Sequence, residues 1–288
     1  MNKVVKRLLV FFIGIPVVFG LCISYHFNHL ALNIAAVVVS GICAYEFHRM
    51  ISNQFTIFNK WLTIMLTILQ PVSTYFLVYF KLDTNINTWI LLFTYLFIMG
   101  AECFVSKSFE NSIKKIAGTM LIIFYAGYMV TFITRLTSIE LLFTKHGATW
   151  FMVLFFIIVF MCDSAAWLFG VLWGKTTRGY FAASPNKSIV GFIGGIAAGI
   201  FFACMMQLLL PDFFGSITKD YWKPILIGFC TSIAAIIGDL VESVFKRSCN
   251  VKDSGKIMGG RGGLLDSIDS LVLAAPIFYL LVNFVYNV

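Results

Sequence analysis

Residues 224–270 read PILIGFCTSIAAIIGDLVESVFKRSCNVKDSGKIMGGRGGLLDSIDS. The first half is an apolar run long enough to cross a bilayer, which takes about 20 residues of helix. From Gly238 onward the stretch holds ten charges: Asp239, Glu242, Lys246, Arg247, Lys252, Asp253, Lys256, Arg261, Asp266 and Asp269. Several of them lie inside membrane-length runs. A carboxylate in lipid is costly unless it is paired, neutralised or bound to a cation. The stretch therefore points both to a helical membrane bundle and to a polar site built into it.

The rest of the chain repeats the first message. Of 288 residues, 60% are hydrophobic and only 12% charged, against about 25% charged in soluble domains. Nine stretches have spanning length, over 8–25, 30–47, 62–80, 88–105, 116–134, 148–173, 189–210, 224–245 and 263–287. They are continuous rather than alternating, which argues against a membrane barrel. The expected fold is an all-α integral membrane protein, a polytopic bundle of about nine transmembrane helices. Lys3, Lys6 and Arg7 precede the first run, which continues past Tyr25 without a small-residue cleavage site, so it reads as an uncleaved helix.

With the N-terminus in the cytoplasm, sixteen of the 21 Lys and Arg residues fall on the cytoplasmic side. That asymmetry follows the positive-inside rule. It places the polar loops 174–188 and 246–262 in the cytoplasm. The net charge of +8 then reflects topology, and no nucleic-acid partner is expected. The seven cysteines lack CxxC spacing and read as small core side chains. One membrane domain is expected over 1–288, with scaffold helices in 1–147 and catalytic helices and loops in 148–288. Glu46 and Glu102 are the exceptions within the scaffold. Gly191, Gly195 and Gly199 form a small-residue ridge that suits close helix packing.

Asp239, Glu242, Ser243 and Lys246 share one helical face. Asp266 and Asp269 open the last span, after Gly259, Gly260, Gly262 and Gly263. Glycines there let backbone N–H groups approach a phosphate, and the helix dipole favours an anion. Arg261 among them is a fork-shaped phosphate donor. Carboxylates next to such groups become ligands once Mg²⁺ lies between them and a phosphate. A second constellation holds Asp163 in the sixth span and Ser184, Asn186, Lys187 and Ser188 before the seventh. These side chains suit a nucleotide or phosphate, and Ser184 could equally cap the seventh span. Interhelical salt bridges and anchoring Lys/Arg are the bland alternative for the whole set. Lys246 and Arg261 are expected to hold phosphate, with Lys256 an interface charge.

Ser243-x-x-Lys246-Arg247, then Lys252-Asp253, then Gly262-Gly263-x-x-Asp266 and Asp269, resembles the signature of the phosphatidate cytidylyltransferase (CDP-diacylglycerol synthase) family. The segment 163–175 and Ser184–Ser188 resemble two further blocks of that family. Arg261, Ser267, Asn186 and Ile189–Val190 depart from its usual residues. The resemblance implies a reaction of CTP with phosphatidic acid at a membrane, giving CDP-diacylglycerol and pyrophosphate. It implies Mg²⁺, with a second cation left open, and metal-binding acids at Asp239 and Asp253, with Asp266 and Asp269 beside them. Asp239, Lys246, Asp253, Asp266 and Asp269 are then the catalytic candidates. Asp163, Ser184, Asn186, Lys187, Ser243, Arg247, Lys252, Arg261, Gly262 and Gly263 are the substrate-binding candidates. The compact form resembles the enzymes of bacterial cytoplasmic membranes, and a homodimer stays open. An ion-coupled transporter and a CTP-dependent lipid kinase are the competing readings.

Overall fold

The computed structural model describes residues 3–141, 147–214, 217–258 and 262–286. Gly259, Gly260 and Arg261, on which part of the phosphate-loop expectation rests, lie outside the described residues. Those described form helices and no strand. Eight helical stretches are long and apolar enough to span a membrane. They are α2 (His26–Ile51), α3 (Lys60–Tyr79), α4 (Ile86–Val105), the stretch Ser112–Ile139, α7 (Gly147–Leu172), α8 (Ile189–Leu209), α11 (Trp222–Ser248) and α12 (Leu265–Tyr286). A shorter apolar run, Ile13–Ile23, ends α1 (Lys3–Ile23). The chain is thus an all-α polytopic membrane protein, as its apolar runs predict.

The stretch Ser112–Ile139 is not one regular helix. It comprises α5 (Ser112–Ile122), a π-helical turn (Ile123–Tyr128) and α6 (Thr131–Leu136), running into a 3₁₀ turn. The π turn fits a close approach to α3. A methyl group on Gly127 would stand 2.7 Å from the Thr67 carbonyl oxygen. Ser40 of α2 donates its hydroxyl to the Ala126 carbonyl at 2.6 Å. Single-turn helices α9 (Pro211–Phe214) and α10 (Ile217–Asp220) precede α11.

The chain packs as two units, one of Met1–Ser138 with Ser248–Ser267, the other of Ile139–Arg247 with Ile268–Val288. In the first unit Phe58, Ile98 and Ile123 form a buried cluster that Leu62, Leu66 and Leu91 cover. Glu102 ends α4 in an ion pair with Lys115 at 2.6 Å and accepts the Ser112 hydroxyl at 2.6 Å. That acid joins α4 to α5, so its burial is explained within the helices.

In the second unit the glycine ridge of α8 does what its spacing predicts. A methyl on Gly191 would lie 2.6 Å from the Ala166 carbonyl oxygen, and one on Gly195 2.9 Å from that of Cys162. The ridge thereby brings α8 against the stretch of α7 that carries Asp163. Gly199 meets Ser232 of α11 instead. Phe155 against Phe278 (5.2 Å) and Phe151 against Tyr286 (5.1 Å) pack α7 on α12. On α11, a methyl at Gly228 would stand 2.7 Å from Ile200 Cα and 2.8 Å from the Gly199 carbonyl oxygen. Both are backbone and cannot swing aside. Gly228→Ala is therefore expected to destabilise the protein by about 1–3 kcal/mol, the usual cost of overpacking. Thermal unfolding in detergent checks this, and an unchanged transition would mean that α8 and α11 sit further apart.

Candidate functional site

The polar stripe of α11 is built where α12 comes close. A methyl on Gly238 would lie 2.5 Å from the Asp269 carbonyl oxygen and 3.2 Å from Ser270 Cα. With no side chain there, Asp239 stands beside the first turns of α12. Ser270 joins two acids: its hydroxyl donates to Asp163 Oδ1 at 3.2 Å and its N–H to Asp269 Oδ1 at 2.7 Å. Asp239, Glu242 and Asp163 all lie within electrostatic reach of Asp269, which is buried. Residues 76 positions apart in sequence, and further, thus form one acidic cluster in the second unit.

Cations come to it from two directions. Lys187 Nζ lies 2.6 Å from Asp239 Oδ2, so the turn before α8 reaches α11. Lys246 pairs with Glu242, one helical turn back, and that carboxyl group is fully buried. The expected helical register of Lys246 with Asp239 is therefore realised one acid lower on the same face. Arg247 Nε donates to the Ala183 carbonyl at 3.2 Å. Both sequence constellations, 162–188 and 239–247, are thereby joined.

The turn is held by an arginine side chain and by its own backbone. Arg178 donates to the Gly170 carbonyl at 2.8 Å, and Gly179 N–H to that of Pro185 at 3.0 Å. The cap of α8 is Ser188, whose hydroxyl accepts the Gly191 N–H at 3.1 Å. This corrects the expectation for Ser184, which lies four residues upstream in a turn closed by Ser184 N–H to the Phe181 carbonyl at 3.0 Å. Asn186 is exposed, and Ser243 is buried on α11.

The remaining candidates belong to the first unit. Asp266 Oδ2 accepts three hydrogen bonds, from Ser254 N–H (2.9 Å), Ser254 Oγ–H (2.8 Å) and Gly263 N–H (2.6 Å). This oxygen ties Ser254 and Gly263 to the start of α12. Gly262 has φ +103°, a region that side chains rarely enter. A methyl there would collide with the Asp266 carboxylate and lie 3.3 Å from Asp253 Cβ. Asp253 and Lys252 are exposed. Asp239 and Asp269 fall in the second unit, and Asp253 and Asp266 in the first.

Ser254 and Ser270 were not among the sequence candidates, and Glu242 and Glu46 were noted there without a role in the site. An acid inside an apolar run was a visible signal for Glu46 and Glu242. Nothing in the sequence distinguishes Ser254 or Ser270 from other serines.

Among the described residues, no three His, Cys, Asp or Glu side chains form a ready-made metal cage. Mg²⁺ does not require one. It commonly takes one or two carboxylates and completes its shell with water and substrate phosphate. The acidic cluster of the second unit, with carboxylates and the Ser270 hydroxyl, is an all-oxygen donor set of the kind that suits a hard cation.

Fold and site together define a class: a multi-pass membrane protein whose second unit holds carboxylates with lysine partners on its helices and on the turn before α8. The sequence model of the cytidylyltransferase family matches residues 5–285, and the chain belongs to that family. It is similar to the phosphatidate cytidylyltransferases of Staphylococcus epidermidis (38% identical), Staphylococcus haemolyticus (37%) and Staphylococcus aureus (36%). Each match covers 138 residues, 48% of this chain and 51% of the relative. The chain therefore spans about half the length of the curated relatives it matches. These relatives are bacterial, and the membrane-length helices make the chain a multi-pass protein of the bacterial cell membrane.

Proposed function

We propose that the protein transfers the cytidylyl group of CTP to phosphatidic acid. A phosphate oxygen of the lipid attacks the α-phosphorus of CTP. The bond from that phosphorus to the β-phosphate oxygen breaks, and pyrophosphate leaves. The observation that carries the reading is the Lys187–Asp239 contact, which joins two blocks of the family pattern into one cluster.

The nucleophile needs little help from a base, because a phosphate monoester is largely ionised near neutral pH. The obstacle is bringing one anion onto another. Lys187, Lys246 and Arg247 supply positive charge around the acidic cluster of the second unit. We assign Asp239 and Asp269 as holders of Mg²⁺ in the second unit; the family pattern also names Asp253 and Asp266, which belong to the first unit. When bound, the ion would neutralise polyphosphate charge and polarise the phosphoryl oxygens.

The test uses membranes containing the protein, phosphatidic acid and CTP labelled either in cytidine or at the γ-phosphate. A cytidine-labelled lipid that depends on added phosphatidic acid is the expected product. Lipid labelled only from the γ-phosphate would make the protein a kinase. No labelled lipid at all would overturn both readings.

A further inference from the structure

Glu46 lies near the end of α2, among helices that look like scaffold, and is 2% exposed. Its Oε2 accepts the Leu265 N–H at 2.9 Å. Leu265 is the first residue of α12, so this N–H is one of the four that a helix start leaves without an intrahelical partner. The same oxygen faces the Ser254 hydroxyl at 3.5 Å. That hydroxyl has one proton, and its shorter contact, 2.8 Å, gives the proton to Asp266. Glu46, Ser254 and Asp266 therefore form a relay of contacts across the loop.

The other carboxyl oxygen, Oε1, is buried and has no hydrogen-bond partner. It lies against glycines. A methyl on Gly255 would collide with it, and one on Gly263 would lie 2.6 Å away. Leaving a buried oxygen unsatisfied is costly, and simple packing would be served better by an apolar side chain. Glu102, the acid near the end of α4, differs: its partners are Lys115 and Ser112, both on α5.

We infer that Glu46 is a positioning residue for the segment 249–258 and for Gly262–Asp266. It holds the start of α12 through the Leu265 N–H, and with it the neighbouring Asp266, to which Ser254 and Gly263 are bonded. It acts by accepting that N–H through Oε2. The inference rests on the proposed transfer reaction and adds a residue outside the motifs that suggested it.

Three variants test it: Glu46→Gln, Glu46→Asp and Glu46→Ala. Gln keeps an acceptor oxygen at the same reach. Asp is one methylene too short to meet the Leu265 N–H, and Ala has no acceptor. Two readouts are taken on full-length protein in nanodiscs: lipid labelling from CTP, and the rate of tryptic cleavage after the exposed Lys252 and Lys256, located by mass spectrometry. A loosened loop exposes its backbone to protease in proportion to its open population, so Ala and Asp should be cut at least about fivefold faster. Their kcat should fall at least about tenfold, the effect of misplacing a catalytic group. Gln should stay within about threefold of wild type in both, since the acceptor is retained.

Wild-type cleavage rates in Ala and Asp would overturn the inference. So would a Gln variant that is cut slowly yet turns over as poorly as Ala, which would assign Glu46 a role through its charge. If Ala does not fold, Asp carries the same comparison. Should the wild type make no CDP-lipid, the transfer reading fails alone, because the cleavage rates still decide whether Glu46 holds the loop.

Discussion

Asp239→Asn is expected to lower kcat/KM for cytidylyl transfer at least about a thousandfold while the protein stays folded. Asn has nearly the same shape as Asp but lacks the charge that faces Lys187 at 2.6 Å and that would bind a cation. Metal-assisted charge stabilisation contributes several kcal/mol to a phosphoryl-type transition state. A loss of about 4 kcal/mol is a thousandfold in rate, since each 1.36 kcal/mol is tenfold. The rival account makes Asp239–Lys187 a structural ion pair. On that account Asn leaves Lys187 without its partner, and the loss appears in stability, typically 3–5 kcal/mol or about that for a buried pair and less here. The Asp239 side chain is 38% exposed, which already argues against a large structural term. Initial rates and thermal unfolding of the same preparation separate the two. Turnover within about tenfold of wild type would remove Asp239 from the mechanism, because a lost metal ligand costs far more.

Much of this was legible in the sequence because lipid narrows the choices. Backbone groups in hydrocarbon must be satisfied internally, so continuous apolar runs dictate helices, and acids inside them stand out. The glycine spacing on α8 was readable for the same reason: a missing side chain at every fourth position can serve only a close neighbour. The interruption at Ile123–Tyr128 was not readable, because Ile, Phe, Tyr and Ala suit a regular helix, and the π turn answers to the Thr67 backbone across the interface. The cap of α8 was misplaced because Ser184 and Ser188 are equally good caps on paper. Only the fold of the turn, with Arg178 bridged to Ser188, selects the second. Pairings such as Lys187 with Asp239 join stretches about fifty residues apart, and a single chain carries no signal for them beyond charge. Glu46 is the clearest intermediate case. An acid within an apolar scaffold run marked it as exceptional, while Leu265 and Ser254, which it meets, lie more than two hundred residues away.

Gly262→Ala is expected to reduce turnover at least about tenfold, although it adds one methyl group, because two independent costs coincide there. The first is conformational. At φ +103° an L side chain is strained by roughly 1–3 kcal/mol. The second is steric: the methyl would collide with the Asp266 carboxylate and crowd Asp253 Cβ at 3.3 Å. Relief of either requires moving one of the two acids that the family pattern places in the reaction. Gly179 separates the two costs, since its φ is +88° but nothing lies within 4 Å of an added methyl. Gly179→Ala should therefore lose stability to strain, about 1–2 kcal/mol, with a smaller loss of turnover than Gly262→Ala. Rates and melting transitions of both variants, measured side by side, give the comparison. Equal losses of turnover at the two positions would mean that backbone strain alone accounts for Gly262, and that the contact with Asp266 and Asp253 contributes nothing to the reaction.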